Sequence, residues 1–391
     1  MNKIVITRWN GRLLTAQFSG RDALEVGLEE QGSILGNIYI GKVKNIVKNL
    51  NSAFVDFGEN RTGYYSLTDN PAPLFADGAG DRTMKSGDNI IVQVAKDAVK
   101  TKDPVLTANL NFTGKYAVLT AGKQVIGFSA KISDKNWREA LKPQLEALTG
   151  GEAGLIVRTN AYGHEEELLR ETAMLLEQYR AVLKTAPYRT PYSLLYEAEP
   201  EYLKSLRSCP EGTVEEIITD DQTVYGTVKQ YLELYQPESM GKLRLYQDSM
   251  VDLVSLYSLQ SVMDQACQKR VWLKSGGYLI IEPTEAMVVI DVNTGKYSGK
   301  KKLADTIRLI NLEAAREICR QLRLRNLSGI IMVDFIDMES EEDKALLLDT
   351  LRSLASLDPV KVHVVDMTPL GLVEMTRKKG KKPLWEQLSR A

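Results

Sequence analysis

Two apolar runs near the C-terminus each carry an acid where a sheet core would want Val or Ile. They are Met287-Val-Val-Ile-Asp291-Val-Asn293 and Ile330-Ile-Met-Val-Asp334-Phe-Ile-Asp337. Both are rich in β-branched residues and read as buried strands. Aspartate is disfavoured in strands and costly to bury unless paired or metal-bound. Asp291 and Asn293 lie two apart, so on a strand they share a face. If Asp334 sits on a neighbouring strand, two carboxylates converge. At about 4 Å and an effective dielectric of roughly 20 they repel by about 4 kcal/mol. A divalent cation removes that cost, and an all-oxygen donor set points to Mg2+, with Mn2+ as the alternative. A single strand-end aspartate ordinarily caps a helix or fixes a loop. Two of them, on matched runs separated by one long helix, point beyond that. Asp337 would face the other side of a continuing strand and is given a supporting place at most.

The elements that must position these acids form an α/β pattern from about 268 to 391. It runs strand, turn, strand with Asp291, a long helix (about 303–324), strand with Asp334, helix (about 341–357), strand (361–365) and a basic tail. Acids at the C-terminal ends of adjacent strands stand where α/β sheets hold ligands.

Upstream, residues 1 to about 32 read as a β-hairpin turning at Asn10-Gly11. A hairpin is not stable alone, so it must join a sheet supplied from elsewhere. Residues 205–267 hold a strand (214–219), a helix near 223–234, a short strand (242–246) and a further helix, too little for a core of their own. The two pieces are therefore expected to complete one discontinuous domain, 1–32 with 205–267. Residues 33–110 are short strands punctuated by glycines, with no plausible helix, as in a five-stranded barrel of the OB type. Phe54, Phe57, Tyr64 and Tyr65 lie there among Lys42, Lys44, Lys48, Arg61 and Lys102. Aromatics interleaved with cations suit single-stranded nucleic acid, whose bases stack while its phosphates pair. Some of these rings must fill the barrel, and alternation does not say which. Residues 111–204 mix helices with one clear strand, Gly154-Leu-Ile-Val-Arg158-Thr159. A helix from about 164 to 184 opens on Glu165, Glu166 and Glu167, and Pro187, Pro191 and Pro200 then break the chain into a connector.

Composition narrows the classes. The 391 residues carry a net charge of −1, so any polyanion site must come from local basic patches. Cys209, Cys267 and Cys319 form no C-x-x-C pair, which argues against zinc and against a disulfide framework and suits a reducing cytoplasm. With only His164 and His363, neither a histidine-centred metal site nor a Ser-His-Asp triad is expected. The N-terminus is too polar for a signal peptide, and no apolar run is long enough to span a membrane.

Long ordered motifs meet a known family. Ile290-Asp-Val-Asn-Thr-Gly-Lys296, Asn311-Leu-Glu-Ala-Ala-Arg-Glu-Ile-Cys-Arg-Gln-Leu-Arg-Leu-Arg325, Gly329-Ile-Ile-Met-Val-Asp-Phe-Ile-Asp-Met338 and Gly371-Leu-Val-Glu-Met-Thr-Arg377 together resemble the ribonuclease E/G family. Gly36-Asn-Ile-Tyr-Ile-Gly-Lys-Val43 is similar to the start of its OB-type RNA-binding domain, and Leu155-Ile-Val-Arg-Thr159 to its 5′-end sensor. Ser275-Gly-Gly-Tyr-Leu-Ile-Ile-Glu-Pro-Thr-Glu285 is similar to the beginning of its catalytic domain. The resemblance implies a ribonuclease-H-like discontinuous domain with the OB-type barrel (33–110) and a sensor subdomain (111–204) inserted. A deoxyribonuclease-I-like catalytic domain (268–391) would follow. It implies Asp291 and Asp334 as metal ligands and Asn293 as the residue orienting the site. Phe54, Tyr64 and Lys102 would contact single-stranded RNA, and Arg158 and Thr159 would hold a 5′-monophosphate. The implied activity is magnesium-dependent endonucleolytic hydrolysis of single-stranded RNA, in RNA processing and decay, leaving 5′-phosphate and 3′-hydroxyl ends.

Two departures qualify it. The family's sensor uses a further arginine where Pro369 stands, so 5′-phosphate recognition would weaken or pass to Arg377 or Lys378. Larger members share zinc between subunits through a cysteine pair and add a small assembly domain. Neither occurs before Ala391, so no zinc and no zinc-linked tetramer is expected, and a homodimer or monomer stays open. Lys296, Lys300, Lys301 and Lys302 could neutralise phosphates or form a solvated loop. The competing readings are a non-catalytic OB-fold RNA-binding or scaffold protein, and a DNA nuclease of the same catalytic fold.

Overall fold

The computed structural model describes residues 2–30, 32–58, 60–78, 80, 82–98, 103–209, 212–295 and 303–389. The chain forms two compact units, one of residues 1–30 with 212–391 and one of residues 31–211. None of the described helices is long and apolar enough to cross a membrane.

The first unit contains two sheets. In the five-stranded sheet, Asn2–Trp9 and Arg12–Ser19 pair around a turn whose Asn10 and Gly11 both take positive φ (48° and 78°). That is the geometry for which Asn-Gly is selected. A third strand, Asp22–Leu28, follows, so the expected hairpin is a three-stranded meander. The other side of Asn2–Trp9 pairs in parallel with Val214–Thr219, which pairs in parallel with Leu243–Leu245. The sheet is thus discontinuous in sequence. Its core places Val5, Leu14, Phe18 and Ile218 against Leu253, Leu259 and Met263.

The six-stranded sheet runs in the order Arg270–Trp272, Tyr278–Pro283, Met287–Asn293, Gly329–Asp334, Leu372–Arg377, Val362–Met367. Met287–Asn293 and Gly329–Asp334 are parallel neighbours, joined by the helix Leu303–Leu324. After the strand at 361–365 the sequence reads as passing straight into a basic tail, but Leu372–Arg377 forms a further strand inserted in the sheet, antiparallel to both of its neighbours, with Arg377 as its last residue. Alternate residues separate by burial. Leu279, Ile281, Val288, Ile290, Val292, Ile331 and Val333 are buried with Ile310, Ala314 and Ile318 of the long helix and Leu347 and Leu351 of the helix Glu341–Ser356. The opposite face is open, with Val289 38% and Ile330 49% exposed. The expectation of strands buried on both faces is therefore corrected. The acids do not interrupt a core, because they belong to the open face.

Arg377 ends the inserted strand inside the protein. Its Nε and Nη2 donate to the Asp358 carboxylate at 2.9 and 3.3 Å, and its Nη1 donates to Asn326 Oδ1 at 2.8 Å and Leu327 O at 3.1 Å. Both members of the ion pair are buried.

In the second unit, Ile38–Val47, Ser52–Gly58, Arg61–Ser66, Val105–Thr107 and Asn89–Lys96 close into a five-stranded barrel through the pairing of the first strand with the last. Phe57 and Tyr65 are fully buried in its core with Val55, Val92 and Leu106. A four-stranded sheet follows, in the order Asn111–Thr113, Ala117–Thr120, Gly154–Val157, Ile126–Phe128. The helices Lys135–Thr149 and Glu165–Thr185 share its core through Leu141, Leu145, Leu168 and Leu175. The helix Glu201–Ser208 begins directly after Pro200.

Removing one partner of a buried ion pair strands the other charge, at a cost of about 3–5 kcal/mol. Arg377→Ala should lower the unfolding free energy of the first unit by that amount in urea titration. A loss under about 1 kcal/mol would mean that the pair does not hold the strand.

Candidate active site

The parallel register sets Asp291 directly opposite Asp334, each in the last part of its strand. Asn293 lies on the same open face two residues on, and its amide Nδ2 donates to Asp291 Oδ2 at 2.7 Å. That bond fixes the Asp291 carboxylate and leaves its other oxygen available. Partial burial, followed by the charges of Asp291 and Asp337, holds the Asp334 carboxyl above the ordinary carboxylate range. Asp337 thus comes nearer than alternation implied. The strand stops at Asp334, so the chain past it no longer obeys the two-residue period.

Three features fix the backbone around this row. Asn311, fully buried on the long helix, donates to Ile336 O at 2.8 Å and accepts from Ile336 N at 3.2 Å. The segment between Asp334 and Asp337 is thereby tied to the helix behind the sheet. Glu313, two residues further along the same helix and half-buried, accepts the N–H groups of Lys274 (2.7 Å) and Ser275 (3.2 Å). Gly295 has φ +62°, and a Cβ there would fall 2.2 Å from Gly276 O, so the turn after Asn293 needs glycine. Asn311 stood inside a recognised motif, yet its role was not legible. A polar residue on a helix reads as solvent-facing until the fold shows it buried.

Among the described residues, no three His, Cys, Asp or Glu side chains gather as a metal-binding cluster. A cation here would rest on two carboxylates and would complete its shell with water and substrate oxygens. Magnesium does so readily, because it dehydrates reluctantly and is commonly held by one or two carboxylates with substrate phosphates. Burial raises Asp334 most, and the repulsion from Asp291 that adds to it is what a cation would relieve, so the donor set fits Mg2+ or Mn2+.

In the second unit the structure sorts the barrel aromatics. Phe57 and Tyr65 fill the core, while Phe54 and Tyr64 form a half-buried cross-strand pair on the outer face, with ring centroids 6.2 Å apart and planes at 77°. Lys44 is exposed and lies 3.7 Å from Asp56 on the neighbouring strand. Lys102, Lys296, Lys300, Lys301 and Lys302 lie outside the described residues.

Arg158 and Thr159 follow the strand Gly154–Val157. Arg158 Nη1 donates to Gly114 O at 2.6 Å, and its backbone N–H to Tyr116 O at 2.7 Å. The loop that receives it is fixed by the buried Glu171, whose carboxylate accepts the N–H groups of Lys115, Tyr116 and Ala117 at 2.7–2.9 Å. Burial still holds Glu171 above the usual carboxylate range, against those bonds and the charge of Arg207. Thr159 is exposed, its hydroxyl 2.9 Å from that of Ser129. One expectation fails. Arg377 cannot take over phosphate recognition from the position of Pro369, because its guanidinium is buried and every nitrogen is engaged. Lys378 is exposed.

The fold is that of a mixed α/β protein carrying a closed five-stranded barrel of the OB type. The ribonuclease E/G family model matches residues 111–380. Ribonuclease G of Haemophilus influenzae is 35% identical over 373 residues, covering 92% of this chain and 76% of that protein. Ribonuclease G of Escherichia coli strain K12 is 33% identical with the same coverage. Ribonuclease E of Nostoc sp. is 33% identical over 379 residues, covering 95% of this chain and 55% of that protein. The chain belongs to the ribonuclease E/G family.

If Asn311 holds the segment past Asp334, Asn311→Ala should speed amide hydrogen exchange at Ile336 by roughly tenfold and cost about 1–3 kcal/mol of stability. Unchanged exchange at Ile336, followed by NMR, would remove that role.

Proposed function

We propose that this chain is an endoribonuclease acting in RNA processing and decay, and that it hydrolyses single-stranded RNA with Mg2+ as its cofactor and Mn2+ as the substitute. The observation that carries the reading is the cross-strand pair Asp291 and Asp334, with Asn293 bonded to Asp291, in a member of the ribonuclease E/G family. Two acids brought face to face on an open sheet destabilise the protein unless something uses their charge. A non-catalytic binding protein has no such use.

Asp291 and Asp334 would hold the cation, and Asn293 keeps one Asp291 oxygen turned toward it. When bound, the cation supplies a lowered pKa for water and a polarised phosphate oxygen. Water attacks phosphorus in line and the 3′-oxygen departs, leaving a 5′-phosphate and a 3′-hydroxyl. Asn311 and Glu313 keep the flanking backbone in place while charge builds up. Phe54 and Tyr64 offer the barrel's outer face to stacked bases, with Lys102 and Lys296 as phosphate contacts. Arg158 and Thr159 would receive a 5′-monophosphate, although the carbonyl of Gly114 already occupies one Arg158 nitrogen.

In fold terms we read the five-stranded sheet as ribonuclease-H-like and the six-stranded sheet with its two helices as deoxyribonuclease-I-like. The strand orders and the one-sided helical cover support that assignment. Three free cysteines without a paired motif fit a cytoplasmic protein that needs no zinc.

Asp291→Asn and Asp334→Asn should each abolish cleavage of single-stranded RNA in Mg2+ while binding, read by fluorescence anisotropy, changes little. Asn293→Ala should slow kcat more than it raises KM. Full wild-type cleavage in excess chelator would defeat the mechanism, and equal cutting of DNA of the same sequence would redefine the substrate. Binding with no cleavage at all would return the scaffold reading. For the sensor, a 5′-monophosphate should raise kcat/KM over a 5′-hydroxyl by only about tenfold, the lower end of what one charge-assisted contact is worth. Arg158→Gln should bring that ratio to about one, and an unchanged ratio would discard the pocket.

A further inference from the structure

The open face of the six-stranded sheet continues beyond the acids, and its edge has chemistry that the cleavage reaction does not use. The pairing register sets Trp272 beside Tyr278 and Tyr278 beside Asn293, while Arg270, Ile280, Asp291 and Asp334 form the adjoining row. Trp272 is 64% exposed, a large apolar area to leave in water at a sheet edge. Its ring meets Tyr278 at 5.3 Å and 61°. The Arg270 guanidinium lies over both rings, 4.7 Å from the Tyr278 centroid and 5.6 Å from that of Trp272. Strands lie about 4.8 Å apart, so this cluster begins about one strand from Asn293 and ends about 10 Å away.

We infer that Trp272, Tyr278 and Arg270 form a base-stacking subsite that seats a nucleotide flanking the scissile phosphate. The inference rests on the nuclease reading above and adds to it a second place for bases within the catalytic unit itself. Aromatic rings and guanidinium planes are the surfaces on which unpaired bases stack. The arginine also supplies a cation for the adjoining phosphate, which the acids alone would repel. The ligand is committed to single-stranded nucleic acid by continuity with Asn293 and by this pairing of rings with a cation. A protein partner covering an apolar face would have no need of the row of carboxylates next to it.

The test uses the full chain in Mg2+ and a short single-stranded RNA cut at one position. A matching set of RNAs lacks one base at each position in turn. Trp272→Ala should raise KM by about 5- to 100-fold with kcat within about twofold, because stacking is ground-state binding. Trp272→Phe should recover most of the loss, and circular dichroism should show both variants folded. In the wild type, removal of one base beside the cleaved bond should raise KM by a similar factor. In Trp272→Ala the same removal should have no further effect. An unchanged KM in Trp272→Ala, or the same base-removal profile in both proteins, overturns the subsite. A dimer that Trp272→Ala converts to a monomer in sedimentation, with the profile unaltered, overturns it in favour of a second copy of this chain. If the wild type cuts no RNA, the nuclease reading fails separately. The same scan, read as anisotropy on Asp334→Asn, then still decides whether Trp272 stacks a base.

Discussion

The register between two parallel strands governs this protein. Pairing Asp291 with Asp334 puts two like charges on one face of a sheet whose other face is sealed by helices. A slip of one residue would send one of the acids into that sealed face, where a carboxylate is far more costly than Val or Ile. The hydrophobic pattern thus holds the acids in opposition even though their own electrostatics push them apart. The fold supplies the energy that the site consumes.

Support for this arrangement lies mainly behind the acids. Asn311 reaches through from the helix to grip the backbone after Asp334, and Glu313 grips the loop before Tyr278. Both belong to the helix that links the two acidic strands, so the connection that makes them parallel also sets the loops at their ends. The barrel in the other unit follows a different logic. There, alternation along two strands divides four aromatics into two that make the core and two that remain outside.

Much of this was legible in the residues. The acid-bearing strands, the helix Leu303–Leu324 between them, the barrel strands and the Asn10-Gly11 turn all carried local signals, whether a period of two, a period of 3.6 or a positive-φ pair. What stayed hidden depended on partners distant in sequence. Leu372–Arg377 did not read as a strand because its outward Glu374 and Thr376 mask the buried Val373 and Met375. Arg377 looked free to bind phosphate because Asp358 lies in a separate element. The open face was illegible for the same reason. An apolar run with one wet side shows no alternation when Val289 and Ile330 occupy that side.

The strand Asn2–Trp9 has a consequence for biosynthesis. Its parallel neighbour Val214–Thr219 is made only after the whole of residues 31–211. At roughly 5–20 residues per second the first strand waits about 10–40 s, its hydrogen-bonding groups unsatisfied along one border. During that interval the nascent meander offers a template to any extended chain nearby. The immediately available pairing with Arg12–Ser19, itself paired with Asp22–Leu28, satisfies the other border of Asn2–Trp9 from the start, so that only the side facing the later strand waits.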